Sequence, residues 1–331
     1  MGGRVALGVL GVVIPVYNEG DWIRRSLAAL RVAATRASWP LEIVVVDDGS
    51  TDETVAILDG LAEGIHLVRQ ENQGRFAARL AGLRALRARY VLLLDSRVLL
   101  DPDALVTLKA RVTEDESSAW NAHVNVATAG NPWAAFWSGL TKVGWRRYFA
   151  NPRRVSFGPT DFNAYPKGTG AFAAPTQVIL AAAAGFSSLF ADQRLASDDT
   201  KLLRNVAAAT PINIDPGFSC LYFGRDSFQR WARQSYFRGT TFVDGYVGTR
   251  RNAALVLAGV AALGVTGGWL AIRRPAVVGG LAAAGVAGAA AATRLSGGDG
   301  RETTAVAGLL VPFAAVFGAG FVRGLVLALR S

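Results

Sequence analysis

Hydrophobic positions along this chain follow three successive rhythms. Over residues 9–94, short apolar runs alternate with stretches of helical spacing. Residues 9–16 form a β-rich run that ends at the turn Pro15-Val16-Tyr17-Asn18-Glu19. Across 21–32, apolar Trp22, Leu27 and Leu30 are interleaved with Arg24, Arg25 and Arg31, which predicts a helix. Residues 41–46 are continuously apolar after Leu41-Glu42, as in a strand buried on both faces, and stop at Asp47-Asp48-Gly49-Ser50. Thr51 or Asp52 then caps a helix to residue 61. Residues 66–68 read as a third strand, 74–88 as a helix and 90–94 as a fourth strand closed by Asp95. This alternation predicts a parallel α/β sheet. Such sheets bind ligands beyond the carboxyl ends of their strands, where Asn18, Asp47, Asp48 and Asp95 fall. The rhythm is looser over 119–216, where further strands and loops of the same domain are expected, with a helix from about Asp199 to Ala208.

After Arg251 the pattern becomes almost wholly apolar. The stretches 252–272, 275–293 and 303–322 carry no charge, and at about 1.5 Å per residue each can cross a core of about 30 Å. The middle one is mostly Ala and Gly, which suits close helix packing. The apolar run that follows Arg4 is too short to span a bilayer and has no small-x-small cleavage site, so it reads as the first strand.

Composition sharpens this division. The 331 residues are 51% hydrophobic and only 18% charged, against about 25% in a typical soluble chain. The net charge of +10 fits a membrane surface or a phosphate-bearing substrate. No zinc-finger spacing or nucleic-acid module accompanies it, so nucleic acid is not an expected partner. The single cysteine, Cys220, allows no intrachain disulfide and reads as a small buried thiol. His66 and His123 are isolated and read as structural.

Four segments carry the candidate chemistry: Pro15 to Glu19; Val44-Val45-Val46-Asp47-Asp48-Gly49-Ser50-Thr51-Asp52; Asn72-Gln73-Gly74-Arg75-Phe76-Ala77-Ala78-Arg79; and Leu92-Leu93-Leu94-Asp95-Ser96-Arg97. In this order, each at a strand end or a helix entry, they resemble a family-2 glycosyltransferase of the membrane-anchored bacterial type over about residues 9–245. The resemblance implies an inverting enzyme with a GT-A (Rossmann-like) α/β domain. It implies that Asp47 contacts the donor's base, with Pro15, Tyr17 and Glu19 shaping the nucleotide pocket, while Asp48 holds the turn. Gly74 lets backbone approach the ligand. Arg75 and Arg79, four apart on one helix, either meet phosphate or are solvated helix charges.

Asp95-Ser96-Arg97 stands where the family has its Asp-x-Asp metal motif, with Arg97 in place of the second acid. A divalent cation, Mg2+ or Mn2+, is therefore expected on Asp95 alone, together with diphosphate oxygens. Arg97 either neutralises the departing diphosphate or pairs with Asp101 or Asp103. Ser197-Asp198-Asp199-Thr200 resembles the family's acidic pair at a helix start, with Asp199 at the general-base position and Asp198 beside it; helix capping is the structural alternative. Lys167, Gly168 and Thr169 lie where the family has an acceptor-facing loop. Gln229-Arg230-Trp231 partly resembles a motif of processive synthases and suits an acceptor-side or interfacial helix, or plain core packing.

The expected organisation is a catalytic domain over 1–225, an interfacial segment over 226–251 and two to three membrane helices over 252–331. The expected activity is sugar transfer from a nucleotide-diphosphate donor to a lipid-linked or glycan acceptor. The catalytic domain is expected on the cytoplasmic side of the cell membrane, in contact with membrane lipids. A processive polysaccharide synthase and a non-catalytic membrane scaffold remain as alternatives.

Overall fold

The computed structural model describes residues 8–61 and 63–330. Arg4, at the head of the first apolar run, lies outside them. The chain divides into two compact units. One holds residues up to Asn125, Pro152–Phe186 and Asp198–Phe223; the other holds Val126–Asn151, Ser187–Ser197 and Gly224 onward. The second unit thus takes two segments from within the region expected to form a single catalytic domain.

The first unit opens with β1 (Leu10–Val16), α1 (Gly20–Ala37), β2 (Leu41–Asp47), α2 (Thr54–Gly60), β3 (His66–Arg69), α3 (Arg75–Ala85) and β4 (Tyr90–Leu94), as the alternating pattern predicts. It continues through β5 (Val98–Leu100), α4 (Ala104–Glu114) and β6 (Ala119–Val126). After α5 (Pro132–Gly144) and α6 (Arg146–Phe149), both in the second unit, come β7 (Val155–Phe157), β8 (Ala171–Pro175), α7 (Thr176–Ala184), α8 (Asp198–Ala209) and β9 (Ile212–Tyr222).

The strand order is β3-β2-β1-β4-β8-β6-β9-β5, with β7 on β9. Strands β3, β2, β1 and β4 pair in parallel; β8 runs antiparallel to β4 and β6, as do β5 and β7 to β9. The expected parallel sheet is therefore half of a mixed one. The parallel half requires a helical crossover between strands, and those crossovers stop at β4.

Both faces of the parallel half are covered, which is why β2 reads as an unbroken apolar run. On one face Val12, Ile14, Ile43, Val45, Leu92 and Leu94 pack with Ile23, Leu27 and Leu30 of α1 and with Leu105 and Leu108 of α4. On the other, Val44 and Val46 pack with Ala78 of α3. Gly82 lets α3 approach closely: a Cβ there would sit 2.5 Å from Val13 Cγ1.

The second unit gathers α5 and α6 with α9 (Phe228–Tyr246), α10 (Arg250–Arg273), α11 (Pro275–Leu295) and α12 (Gly300–Arg330). The last three are long and apolar enough to cross a membrane. Helix α5 was expected as strand or loop. Its start is nevertheless a strong one, since Asn131 Oδ1 accepts from Ala134 N at 3.0 Å and Pro132 occupies the first turn. Phe136 of α5 packs on Trp231 and Phe313. Helix α12 begins with reciprocal bonds between Asp299 and Glu302, each side chain accepting from the other's backbone N at 2.8 Å. Glu302 is buried and also accepts from Lys142 Nζ at 2.7 Å and Ser138 Oγ at 2.5 Å, fastening α5 to this turn.

Helix α9 buries Trp231, Ser235, Gly239, Thr240 and Val243 along one face, and glycines on both helices let it press against α12. A Cβ at Gly239 would meet Phe317 O at 2.2 Å, and one at Gly324 would meet Thr240 O at 2.5 Å. At Gly320 a Cβ would stand 2.0 Å from Tyr236 O. Gly320→Val is therefore expected to cost about 1–3 kcal/mol and to lower the thermal unfolding midpoint of the detergent-solubilised protein. An unchanged midpoint would contradict this docking.

Candidate functional site

The loops at the carboxyl ends of β1 and β2 are laced together. Asn18, in the left-handed region at φ 53°, accepts from Thr51 N at 2.9 Å, and its own N donates to Ser50 Oγ at 3.1 Å. Asp47 is buried at the end of β2, where its Oδ1 accepts from Ser50 N at 3.0 Å. Asp48 accepts from Gln70 Nε2 at 2.7 Å and from the backbone N of Gln73 and Gly74, both at 2.9 Å. It holds the turn, and with it the entry to α3. Gly49 is required here: its φ is 77° and a Cβ would lie 2.8 Å from Asn72 N. Pro15 is buried in β1 and Tyr17 is exposed beside it.

Two strand positions away, α3, β4 and α8 meet around one guanidinium. Arg79 is 2% exposed and reaches Asp95 Oδ1 at 2.8 Å and Asp199 Oδ1 at 3.3 Å. Asp95 follows β4, and its N donates to Gly170 O at 2.8 Å. Gly170 leaves room beside the carboxylate, since a Cβ there would lie 3.5 Å from Asp95 Oδ2. The preceding residue, Thr169, is buried and donates its Oγ1 hydrogen to Asp199 Oδ1. Asp199 stands in the first turn of α8 with its side chain 39% exposed, and that of Asp95 is 26% exposed. Asp95 and Asp199, 104 residues apart in sequence, thus share one cation. Arg79 is neither a solvated helix charge nor directed at phosphate alone; burial demands partners, and the two acids supply them. Arg75, on the same helix, is exposed.

Arg97 pairs with an acid that the sequence reading did not name. It is 8% exposed and forks onto Glu19, with Nε to Oε1 at 2.8 Å and Nη2 to Oε2 at 2.7 Å. Its guanidinium carbon lies 5.0 Å from the Trp22 ring, which Arg25 approaches at 4.4 Å. Glu19 is thereby engaged by Arg97, and neither Asp101 nor Asp103 is its partner: Asp103 pairs with Arg36 and Asp101 accepts from Ser219 Oγ at 2.5 Å. The sequence signal for this pair was available, because an Arg in an acid's place needs a compensating acid nearby. As a cage for a resident metal ion these residues do not fit. Among the described residues no three of His, Cys, Asp and Glu come together. Arg97 occupies the second acid position, Ser96 is buried, and Asp95 Oδ1 is taken by Arg79.

Gly168 N donates to Asn121 Oδ1 at 2.9 Å, fixing the loop that carries Thr169. Lys167 Nζ donates to Phe162 O and Tyr165 O and lies 4.3 Å from the Phe162 ring. Burial, with a smaller contribution from Arg204, pushes its pKa down to about 8. Cys220 is fully buried and its thiol is pushed up by burial, as expected of a structural thiol. Gln229 and Arg230 are exposed on α9, where Arg230 pairs with Asp226 at 3.1 Å. Trp231 is fully buried against Trp133, Phe136 and Phe228, so its surroundings are those of a packing residue. A depression of about 600 Å³ lined by Leu83, Arg87 and Thr176 opens at the other end of β4 and contains none of these site residues.

The first unit, a mixed sheet with parallel and antiparallel halves and acidic residues at its strand ends, has the GT-A fold. Residues 11–166, just under half of the chain, match the family model for Glycosyl transferase family 2. The mannosyltransferase PcManGT from Pyrobaculum calidifontis, solved with GDP-Man and Mn2+, shares the fold at a TM-score of 0.52 and 17% identity, covering 96% of this chain and 85% of its own. The uncharacterized glycosyltransferase YibD of Escherichia coli is 34% identical over 110 residues, 32% of this chain and 31% of that protein. An undecaprenyl-phosphate 4-deoxy-4-formamido-L-arabinose transferase of Pseudomonas fluorescens is 34% identical over 107 residues, 31% of this chain and 32% of that protein. The chain thus spans about a third of the length of these two relatives.

Lys167 supplies a pH test. Its folded-state pKa lies below the ordinary 10.5, so below pH 8 it is protonated whether folded or not, and folding carries the full burial cost. As pH rises from 8 towards 10.5 the folded state sheds that proton first and the cost is relieved. The melting temperature of the wild type relative to Lys167→Met is expected to climb across this window. A flat difference would contradict the buried ammonium.

Proposed function

We propose that this chain is an inverting glycosyltransferase that moves a sugar from a nucleotide-diphosphate donor to a lipid-linked acceptor at a membrane. The observation that carries the reading is the convergence of Asp95 and Asp199 on Arg79, beyond the carboxyl ends of the parallel strands. Asp47 is the acid for the donor's base, with Pro15 and Tyr17 beside it and Gly74 opening the backbone at the entry to α3. Glu19 contributes through Arg97 and not by direct contact. Lys167, Gly168 and Thr169 border the acceptor side.

In the reaction an acceptor hydroxyl oxygen attacks the anomeric carbon from the face opposite the diphosphate. The new carbon–oxygen bond forms as the bond to the phosphate oxygen breaks, and the nucleoside diphosphate leaves with that electron pair. The hydroxyl proton passes to the Asp199 carboxylate, which is open enough to reach it. Arg79 and Thr169 hold that carboxylate in place, and Asp198 flanks it in sequence. A divalent cation, Mg2+ or Mn2+, would arrive with the donor's diphosphate and find in Asp95 its one protein carboxylate.

Three apolar helices support attachment to the membrane, and the hydrophilic donor supports a cytoplasmic catalytic domain. Arg225, Arg230, Arg233 and Arg238, before the first apolar helix, and Arg250 and Arg251, in its first turn, agree with that side. The relatives named as undecaprenyl-phosphate transferases favour a second reading, in which the acceptor is itself a lipid phosphate. So does the prior engagement of Asp199 by Arg79 and Thr169. A phosphate oxygen is already ionised near neutral pH and needs no base.

The variant Asp199→Asn separates the two. With a hydroxyl acceptor, transfer of labelled sugar into the lipid extract is expected to fall about 10²- to 10⁴-fold. With polyprenyl phosphate it should change little. Wild-type protein that turns over no nucleotide sugar with either acceptor would sink both readings.

A further inference from the structure

The chain departs from the sugar-transfer unit after Phe186 and returns to it at Asp198, where α8 begins. The intervening strap, Ser187–Ser197, makes its contacts with the C-terminal helices. Phe190 is buried in a cluster with Val243, Ala253, Leu325 and Ala328, from α9, α10 and α12. Beside it, Asp244 of α9 is fully buried. Its Oδ1 accepts from Leu189 N at 2.6 Å and its Oδ2 from Ser197 N at 2.8 Å. One carboxylate thereby ties down both ends of the strap.

A buried acid in the last turn of a helix is costly unless each oxygen has a donor, and here each has a backbone N–H. The arrangement also specifies the residue type. Asparagine would present one acceptor and one N–H2 group, and the latter would face a backbone donor. Asp244 caps neither end of α9, so its bonds serve the strap. Ser197 lies two residues before Asp199, and fixing its N–H fixes the point from which the first turn of α8 departs.

We propose that Asp244 is a positioning residue for sugar transfer. It anchors to the helix pair α9–α12 the strap that leads directly into the helix carrying Asp199. This rests on the reading of Asp199 as the group that meets the acceptor.

The test uses the full chain in lipid nanodiscs, with Asp244→Asn, Asp244→Ala and Asp199→Asn. Turnover is measured with whichever of UDP-glucose, UDP-N-acetylglucosamine and GDP-mannose the wild type uses fastest. Binding of UDP and GDP is titrated separately, and trypsin cleavage after the exposed Arg194 reports on the strap. We expect kcat to fall about 10- to 100-fold in Asp244→Asn and further in Asp244→Ala. Donor KM and nucleotide affinity should stay within about twofold, and cleavage after Arg194 should accelerate. Unchanged kcat in both variants overturns the proposal. So does loss of nucleotide binding in parallel with turnover in Asp244→Asn, which would make Asp244 a residue of general stability. Wild-type turnover in Asp199→Asn would instead overturn the assignment of the base, a result distinguishable from either of these.

Discussion

A guanidinium removed from water must find negative charge, and Arg79 finds it from two directions. Its burial under α3 leaves it no solvent to fall back on, so Asp95 and Asp199 have to be where they are. That requirement fixes three elements relative to one another: the helix that follows Gly74, the strand that ends at Asp95 and the helix that begins at Asp198. Breaking one arm would leave the other acid paired and the site still charged; removing the arginine would leave two carboxylates facing each other across the vacated space. The geometry of this cluster is therefore an electrostatic consequence of the fold and not an addition to it.

The neighbouring Arg97–Glu19 pair extends the same logic. In place of two acids after β4 there is an acid and a base, and the base has drawn the acid of the β1 turn onto itself. The guanidinium also lies over the Trp22 ring, 5.0 Å from its centre. Glu19 is thereby held as the partner of a buried guanidinium.

Much of this could be read from the residues in order. The strands up to β4 announce themselves by short apolar runs, and Asp47, Asp48, Asp95 and Asp199 lie at strand or helix ends where local rules put them. What could not be read was pairing across long separations. Arg79 looked like one of two helix charges spaced for phosphate, because its partners are 16 and 120 residues away. Trp231 looked like a ligand contact, because its neighbours on α5 and α12 come from segments with no shared periodicity. Helix α5 was hidden for another reason: its apolar face is so broad, with Trp133, Phe136 and Trp137 close together, that helical spacing does not stand out. The antiparallel half of the sheet was obscured by three-residue strands such as β5 and β7, too short to show alternation.

The interleaving of the two units bears on how this protein can be handled at the bench. Because α5 and the strap 187–197 keep company with the C-terminal helices, trimming the chain just after β9 would not liberate a water-soluble enzyme. It would strip Phe136, Trp137 and Phe190 of the rings and aliphatic groups that cover them and leave Glu302's partners Ser138 and Lys142 without their acid. A fragment of that kind would be greasy and prone to precipitate, so expression with the entire set of apolar helices, in detergent or lipid, is the route the architecture dictates.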